Sequence, residues 1–282
     1  MKCKLFLLIP LLWSSFAPEI WSQEDEIKQV VIDLFEGMRN KDSTLMASCF
    51  VPEARLLGYN SDNDQIRITH GDDFVKRVMS MKDVYLDEQI TSWDIKIDQG
   101  LASVWAGYFI SVNGELSHCG VDAFQMSKMN DGWKITQIVD TRTKEGCILS
   151  DEQDIDQKLN YWHKAAATAD EDVFFGAMTE EGIYIGTDAS ERWMRDELKE
   201  WSKKYFERES AWAFTPTSRN IKILPSGNAA YFDELLDTWM GPCRGSGVLE
   251  KIDHQWKIVH YHLAMAVPND VIDAYLKLIK KE

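Results

Sequence analysis

The chain has 282 residues, of which 45% are hydrophobic and 27% charged. That composition suits a globular protein with a sizeable core and argues against extended disorder. The formal charge of −15 repels phosphate backbones and anionic lipid surfaces, which sets aside nucleic-acid and membrane-surface binding.

Residues 1–22 stand apart. A basic "MKCK" precedes the apolar run "LFLLIPLLW" and then small and polar residues up to Ser22. The run is too short to span a bilayer, and the pattern predicts a secretory signal peptide cleaved after Ser22. A periplasmic or extracellular location is therefore expected. Losing Lys2, Lys4 and Glu19 would move the charge to −16. Cys3 precedes the apolar run, so it is not placed as a lipid acceptor, and no later run is apolar enough for a membrane span.

From there Ile27, Val30, Val31, Leu34, Phe35 and Met38 recur at helical spacing, which predicts one amphipathic helix. "STLMASCF" reads as a short helix with Ser43 as candidate N-cap, "PEARLLGYN" as a strand and "GDDFVKRVMSM" as a third helix. Four strand-like runs follow: "ITSWDIKID", "LASVWAGYFISV", "HCGVDAFQMSKM" and "GWKITQIVDTRT", broken by "DQG", "NGE" and "NDG" turns. Helices followed by an antiparallel meander define an α+β pattern.

The second half repeats the order: helices in "DIDQKLNYWHKAAATAD" and "DEDVFFGAM", a strand "GIYIGT", a helix "SERWMRDELKEWSKKYFERE" and four strands ending in "QWKIVHYHLAMAV". Each half writes Trp-Lys-Ile after a turn, at Trp133 and Trp256. The predicted organisation is a first domain over 23–149, a second over 150–268 and a C-terminal helix over 269–282 capped by Asn269.

The phrases "HCGVDAFQMSKMNDGWKI" and "CRGSGVLEKIDHQWKIVHYHLAMAVPND" resemble the nuclear transport factor 2-like superfamily, and within it the SnoaL-like domains. That resemblance implies two cone-shaped half-barrels in tandem. Each would be a curved antiparallel sheet wrapped on helices with a pocket at its open end. It also implies an internal pseudo-dimer packed sheet to sheet. The superfamily holds cyclases, isomerases and dehydratases as well as non-catalytic carriers and hubs, so fold alone does not assign activity. Its enzymes commonly use a pocket Asp or His to move protons without a cofactor.

Asp122 and Asp140 fall opposite each other if the "NDG" turn makes a tight hairpin. Carboxylates so placed cannot both ionise cheaply, and one becomes a useful general acid or base. A register slip of one residue would separate them. His118 and Arg142 lie on the same strands and are candidates for the same site or for neutralising it. In the second half, His260 and His262 share a strand face with Trp256 and Ile258 by alternation. They suit acid–base work, metal ligation or plain packing. Arg244 suits a carboxylate ligand or a surface ion pair. Tyr184, Tyr231 and Trp239 are candidate ligand contacts.

Cys49, Cys119, Cys147 and Cys243 follow the leader, with pairing left open; without a Cys-x-x-Cys no zinc site is expected. The expected function is binding of a small organic ligand with no cofactor, with proton-transfer chemistry or, alternatively, a non-catalytic scaffold role. Self-association through sheet faces is the expected protein contact.

Overall fold

The computed structural model describes residues 22–60 and 65–279. The leader (1–21), part of the "NSDNDQ" loop and the last three residues of the expected C-terminal helix lie outside the described residues. The first unit contains α1 (Gln23–Asn40), α2 (Ser43–Ser48), β1 (Phe50–Asn60), β2 (Gln65–His70), α3 (Gly71–Ser80), β3 (Leu86–Asp98), β4 (Leu101–Val112), β5 (Glu115–Met129) and β6 (Gly132–Asp140). The second contains α4 (Asp151–Ala167), α5 (Glu171–Gly176), β7 (Met178–Ile185), β8 (Arg192–Met194), α6 (Arg195–Phe206), β9 (Phe214–Ile223), β10 (Ala229–Thr238), β11 (Cys243–Ile252) and β12 (Gln255–Met265). A 3-10 turn, Asn269–Val271, leads into α7 (Ile272–Ile279).

The sheets run β2-β1-β6-β5-β4-β3 and β8-β7-β12-β11-β10-β9, so the two halves share one topology. β2 and β8 are short additions that the hydrophobic pattern does not announce. Ser22 caps α1 in a capping box with Asp25, and Ser150 caps α4 in the same way with Gln153. Two other caps differ from expectation. Asp42, not Ser43, caps α2 by accepting from the amides of Thr44 and Leu45. Asn269 lies inside the 3-10 turn, whose N-cap position is Pro268.

Helix α1 buries Ile27, Val31, Leu34, Phe35 and Met38 against the first sheet. Helix α4 does the same in the second unit with Ile155, Leu159, Trp162 and Ala166. Trp133 with Ile135, and Trp256 with Ile258, form matching core pairs. In both repeats a β-bulge follows. Thr136 is the extra residue in β6 and Val259 the extra residue in β12. One added residue reverses side-chain alternation. Beyond the bulge, the inward residues are Ile138 and Asp140 in β6, and Tyr261 and Leu263 in β12.

The units do not join sheet to sheet. Trp105 and Tyr231, on the outer faces, remain 58% and 51% exposed. The junction runs instead between the edge strand β3 and α4, and it is polar. Arg39 donates twice to the fully buried Asp87 (2.9 and 2.6 Å). Asn160 donates to Asp87 (3.1 Å) and Gln89 to Asp156 (3.0 Å), while Tyr85 stacks on Tyr161. Arg219 continues the chain inward, donating to Asp156, Asn160 and Glu234.

Glu234 also meets His163 (2.8 Å) and Tyr261 (3.0 Å) inside the second unit. Burial alone would raise its pKa, but His163 and Arg219 win and hold it down at about 2. Because the folded value lies below the unfolded one, this carboxylate stabilises the fold above about pH 4.5, and the contribution fades as pH falls towards 2. Glu234→Gln removes one of the two carboxylates on the buried Arg219, with Asp156 left in place, so denaturant unfolding at pH 7 is expected to show a loss of about 2 kcal/mol. A loss under roughly 1 kcal/mol, the scale of an exposed pair, would mean that the network contributes little.

Candidate active site

The first unit encloses a cavity of about 850 Å³ between its sheet and the helices α1 and α3. That volume lies in the range of small-molecule sites, roughly 300–1,000 Å³. Its walls are mainly apolar, with Leu34, Phe35, Phe74, Val78, Leu86 and Ile110 among them. Into this surface project three carboxyl groups: Glu88 from β3, Asp122 from β5 and Asp140 from β6.

The hairpin between β5 and β6 sets Asp122 directly opposite Asp140. The Thr136 bulge turns Asp140 inward, and the Thr136 hydroxyl anchors it by donating to the Gln125 carbonyl (2.9 Å). Arg142 donates to Asp140 (2.5 Å), so that carboxylate has its own cation. Asp122 has none in direct contact; its side-chain partner is Glu88.

Two carboxyl groups in hydrogen-bond contact must share a proton. Burial, then the charge of Asp140, push Asp122 up to about 7. Burial, then the charge of Asp122 and the hydrogen bond to it, push Glu88 well above the carboxylate range. One proton is therefore held between Glu88 and Asp122 near neutrality, with Glu88 raised the further of the two. The result is a pair of carboxyl groups sharing a proton in a largely apolar cavity.

His118 also lines the cavity. Its Nδ1 contacts the Ser117 hydroxyl (3.0 Å), and its ring meets Tyr108 edge-on. Burial, then Arg142, hold its pKa below the usual value, so it is neutral at pH 7. Tyr108 donates to the Thr141 carbonyl (2.9 Å), which commits its proton to the backbone.

The segment after β6 forms the rim. It crosses β5 at Gly120, where a Cβ would lie 2.0 Å from the Thr141 carbonyl oxygen. Only glycine allows this approach. The Cys119–Cys147 disulfide and the Cys119–Thr143 bridge hold the segment down; Cys49 and Cys243 are buried free thiols.

The sequence candidates thus divide. Asp122, Asp140, His118 and Arg142 converge on one cavity. The second set does not. The Val259 bulge moves His260 and His262 off the face of Trp256 and Ile258 to the outer side of the sheet, where His262 is exposed. Arg244 faces the same side, beside Asp233 (3.4 Å). Tyr231 is exposed there too, and Trp239 is 81% exposed in a turn. Tyr184 is buried among Trp162, Trp193 and Tyr261 as core.

Register shows why the second unit lacks this cavity chemistry. Asp122 pairs with Ala106 and Asp140, as Gly245 pairs with Glu234 and Leu263. Glu88 corresponds in the same way to Phe214 through its partner Ile110 and the matching Thr238. All three cavity carboxyls are therefore replaced by Phe214, Gly245 and Leu263. A Cβ on Gly245 would meet the Tyr261 hydroxyl at 2.4 Å and Glu234 at 2.7 Å, so its interior is filled. Among the described residues no three His, Cys, Asp or Glu side chains are arranged to hold a metal ion, and no helix is long and apolar enough to cross a membrane.

Fold and site together define tandem conical α+β domains, one of them with an acid-lined cavity. Residues 155–268 match the family model described as SnoaL-like domain, and the second unit is a domain of that kind. No curated protein matches the chain. Similar solved structures include an NTF2-like protein of unknown function from Shewanella baltica (17% identity, 44% of this chain and 95% of that one, TM-score 0.36). Others are an NTF2-like protein from Cytophaga hutchinsonii (13%, 44% and 100%, 0.38) and a protein of unknown function with a cystatin-like fold from Nostoc punctiforme (12%, 43% and 92%, 0.36).

The raised pKa of Asp122 has a stability consequence. Folding favours its protonated form, so nothing is lost below about pH 4, while stability falls as pH rises through about 7. Asp122→Asn cannot ionise. It is expected to match the wild type at pH 4 and to exceed it by up to about 4 kcal/mol at pH 8 in denaturant unfolding. A variant less stable than wild type at pH 8 would mean that partners stabilise the ionised carboxylate.

Proposed function

We propose that the first domain binds a small organic molecule in its cavity and moves a proton on it without a cofactor, as isomerases, cyclases and dehydratases do. The observation that carries this reading is the Glu88–Asp122 pair, a protonated and an ionised carboxyl in contact within an apolar cavity. A group poised near the working pH is the efficient form of a general base. In an isomerisation, the Asp122 carboxylate takes a proton from carbon next to a carbonyl. The C–H electron pair moves towards the carbonyl oxygen, and the proton returns at another carbon. The neutral His118 is the hydrogen-bond donor beside the charge that develops, and the Glu88 proton becomes free to donate there once Asp122 has taken the substrate's proton. Asp140, neutralised by Arg142, raises the basicity of Asp122 by its position.

The second domain fits the alternative role of a non-catalytic scaffold, because its interior is occupied by Tyr261, Glu234 and Phe232. An exported location belongs to the same proposal. The Cys119–Cys147 disulfide supports it, since such bonds persist in oxidising compartments. So does self-association through the outer sheet faces, supported by exposed Trp105 and Tyr231.

The test is deuterium incorporation at the α-carbons of 2-tetralone in D2O, followed by mass spectrometry. Wild type is expected to accelerate exchange over buffer, with the rate rising through a midpoint near pH 7 as Asp122 ionises. Asp122→Asn is expected to lower the rate by about 100-fold, in the range of general-base contributions. Glu88→Leu, which removes the hydrogen bond that holds Asp122 down, is expected to move the midpoint upward, whereas Glu88→Gln keeps a neutral donor there and is expected to leave it near pH 7. Equal rates for Asp122→Asn and wild type would sink the catalytic reading.

A further inference from the structure

The cavity described above has a floor and a mouth of opposite character. Its inner lining holds the buried Asp122 and Asp140, the part-buried Glu88 and the apolar walls. Its exposed lining residues include Arg67 from β2, Arg77 from α3 and Lys144 from the rim, with Glu145 the one carboxylate among them. Among the described residues none of these three cations forms an ion pair, whereas Arg142, also exposed, is held by Asp140.

This gathering runs against the rest of the molecule. The chain carries 46 acidic against 31 basic residues, so an opening with three cations to one carboxylate is not a sample of the general surface. Unpaired cations around a low-dielectric cleft focus the field and draw anions to the opening. The floor does the reverse. Glu88, Asp122 and Asp140 crowd three carboxyl groups around one guanidinium, and a further anion there would be repelled.

We infer that the ligand of this cavity is an amphipathic anion: an apolar body inside, its uncharged reacting end at Glu88 and Asp122, and a carboxylate or similar anionic group held at the mouth by Arg67, Arg77 and Lys144. The inference rests on the reading of the cavity as a ligand site and adds the substrate's charge and its direction of entry. Arg67 and Arg77 supply planar forks suited to a carboxylate. The charges at the two ends admit one orientation only, which delivers the neutral end of the ligand to the proton-sharing pair.

The experiment uses the full chain and three probes of equal length: decanoate, decanol and decylammonium, titrated calorimetrically at pH 8. Decanoate is expected to bind about 10-fold tighter than decanol, with decylammonium weakest and the decanoate advantage shrinking as salt is raised. In the Arg67→Gln, Arg77→Gln, Lys144→Gln variant that advantage is expected to vanish while decanol binds as before, which also shows that the cavity remains folded. Decanol or decylammonium equal to decanoate in wild type would overturn the inference and leave the cavity reading standing. So would an unchanged preference in the variant. If none of the three probes binds, both fall.

Discussion

The first domain depends on a problem of charge. Three carboxyl groups line one largely apolar cavity, and only Asp140 has a direct cation, the half-exposed Arg142. Ionising all three would leave like charges in contact in a medium that screens them poorly. The way out is a proton retained between Glu88 and Asp122. That proton costs the fold stability at high pH, a common feature of sites kept for reactivity rather than packing.

The duplication shows what such a site displaces. At the positions of Glu88, Asp122 and Asp140, the second repeat places Phe214, Gly245 and Leu263, and Tyr261, Phe232 and Glu234 fill the interior. One copy keeps a cavity and the other trades it for packing and a buried ion network. The two are mechanically linked through neighbouring residues of β3. Asp87 points outward into the junction with α4, and Glu88 points inward to the cavity. The α4 junction therefore fixes the strand that presents the proton-sharing acid.

Much of this was legible in the sequence, and the rest failed for definable reasons. The repeated Trp-Lys-Ile and the helical spacing of Ile27 to Met38 reveal the tandem α+β fold, because burial enforces periodicity on every element. The tight turn at Gly132 brings Asp122 to within one residue of Asp140, and the Thr136 bulge, which the sequence does not announce, completes the pairing. The histidines were misplaced because alternation carries straight through Val259, and a bulge has no hydrophobic signature of its own. Glu88 was missed because the strand reads as starting at Ile90. The preceding "LDEQ" looks like a solvated acidic run, although Leu86, Glu88 and Ile90 alternate correctly for one face. The Cys119–Cys147 pairing and the filled second interior depend on long-range packing, which no local pattern encodes.

The most direct measurement is carboxyl 13C NMR of selectively labelled Glu and Asp, titrated from pH 3 to 9. The account predicts a Glu88 carboxyl still protonated at pH 6 and an Asp122 resonance that titrates near neutrality, with the Glu88 transition altered when Asp122 is replaced by Asn. If Glu88 and Asp122 both ionise independently below about pH 5, as unperturbed carboxylates do, no proton is shared and the central claim is contradicted.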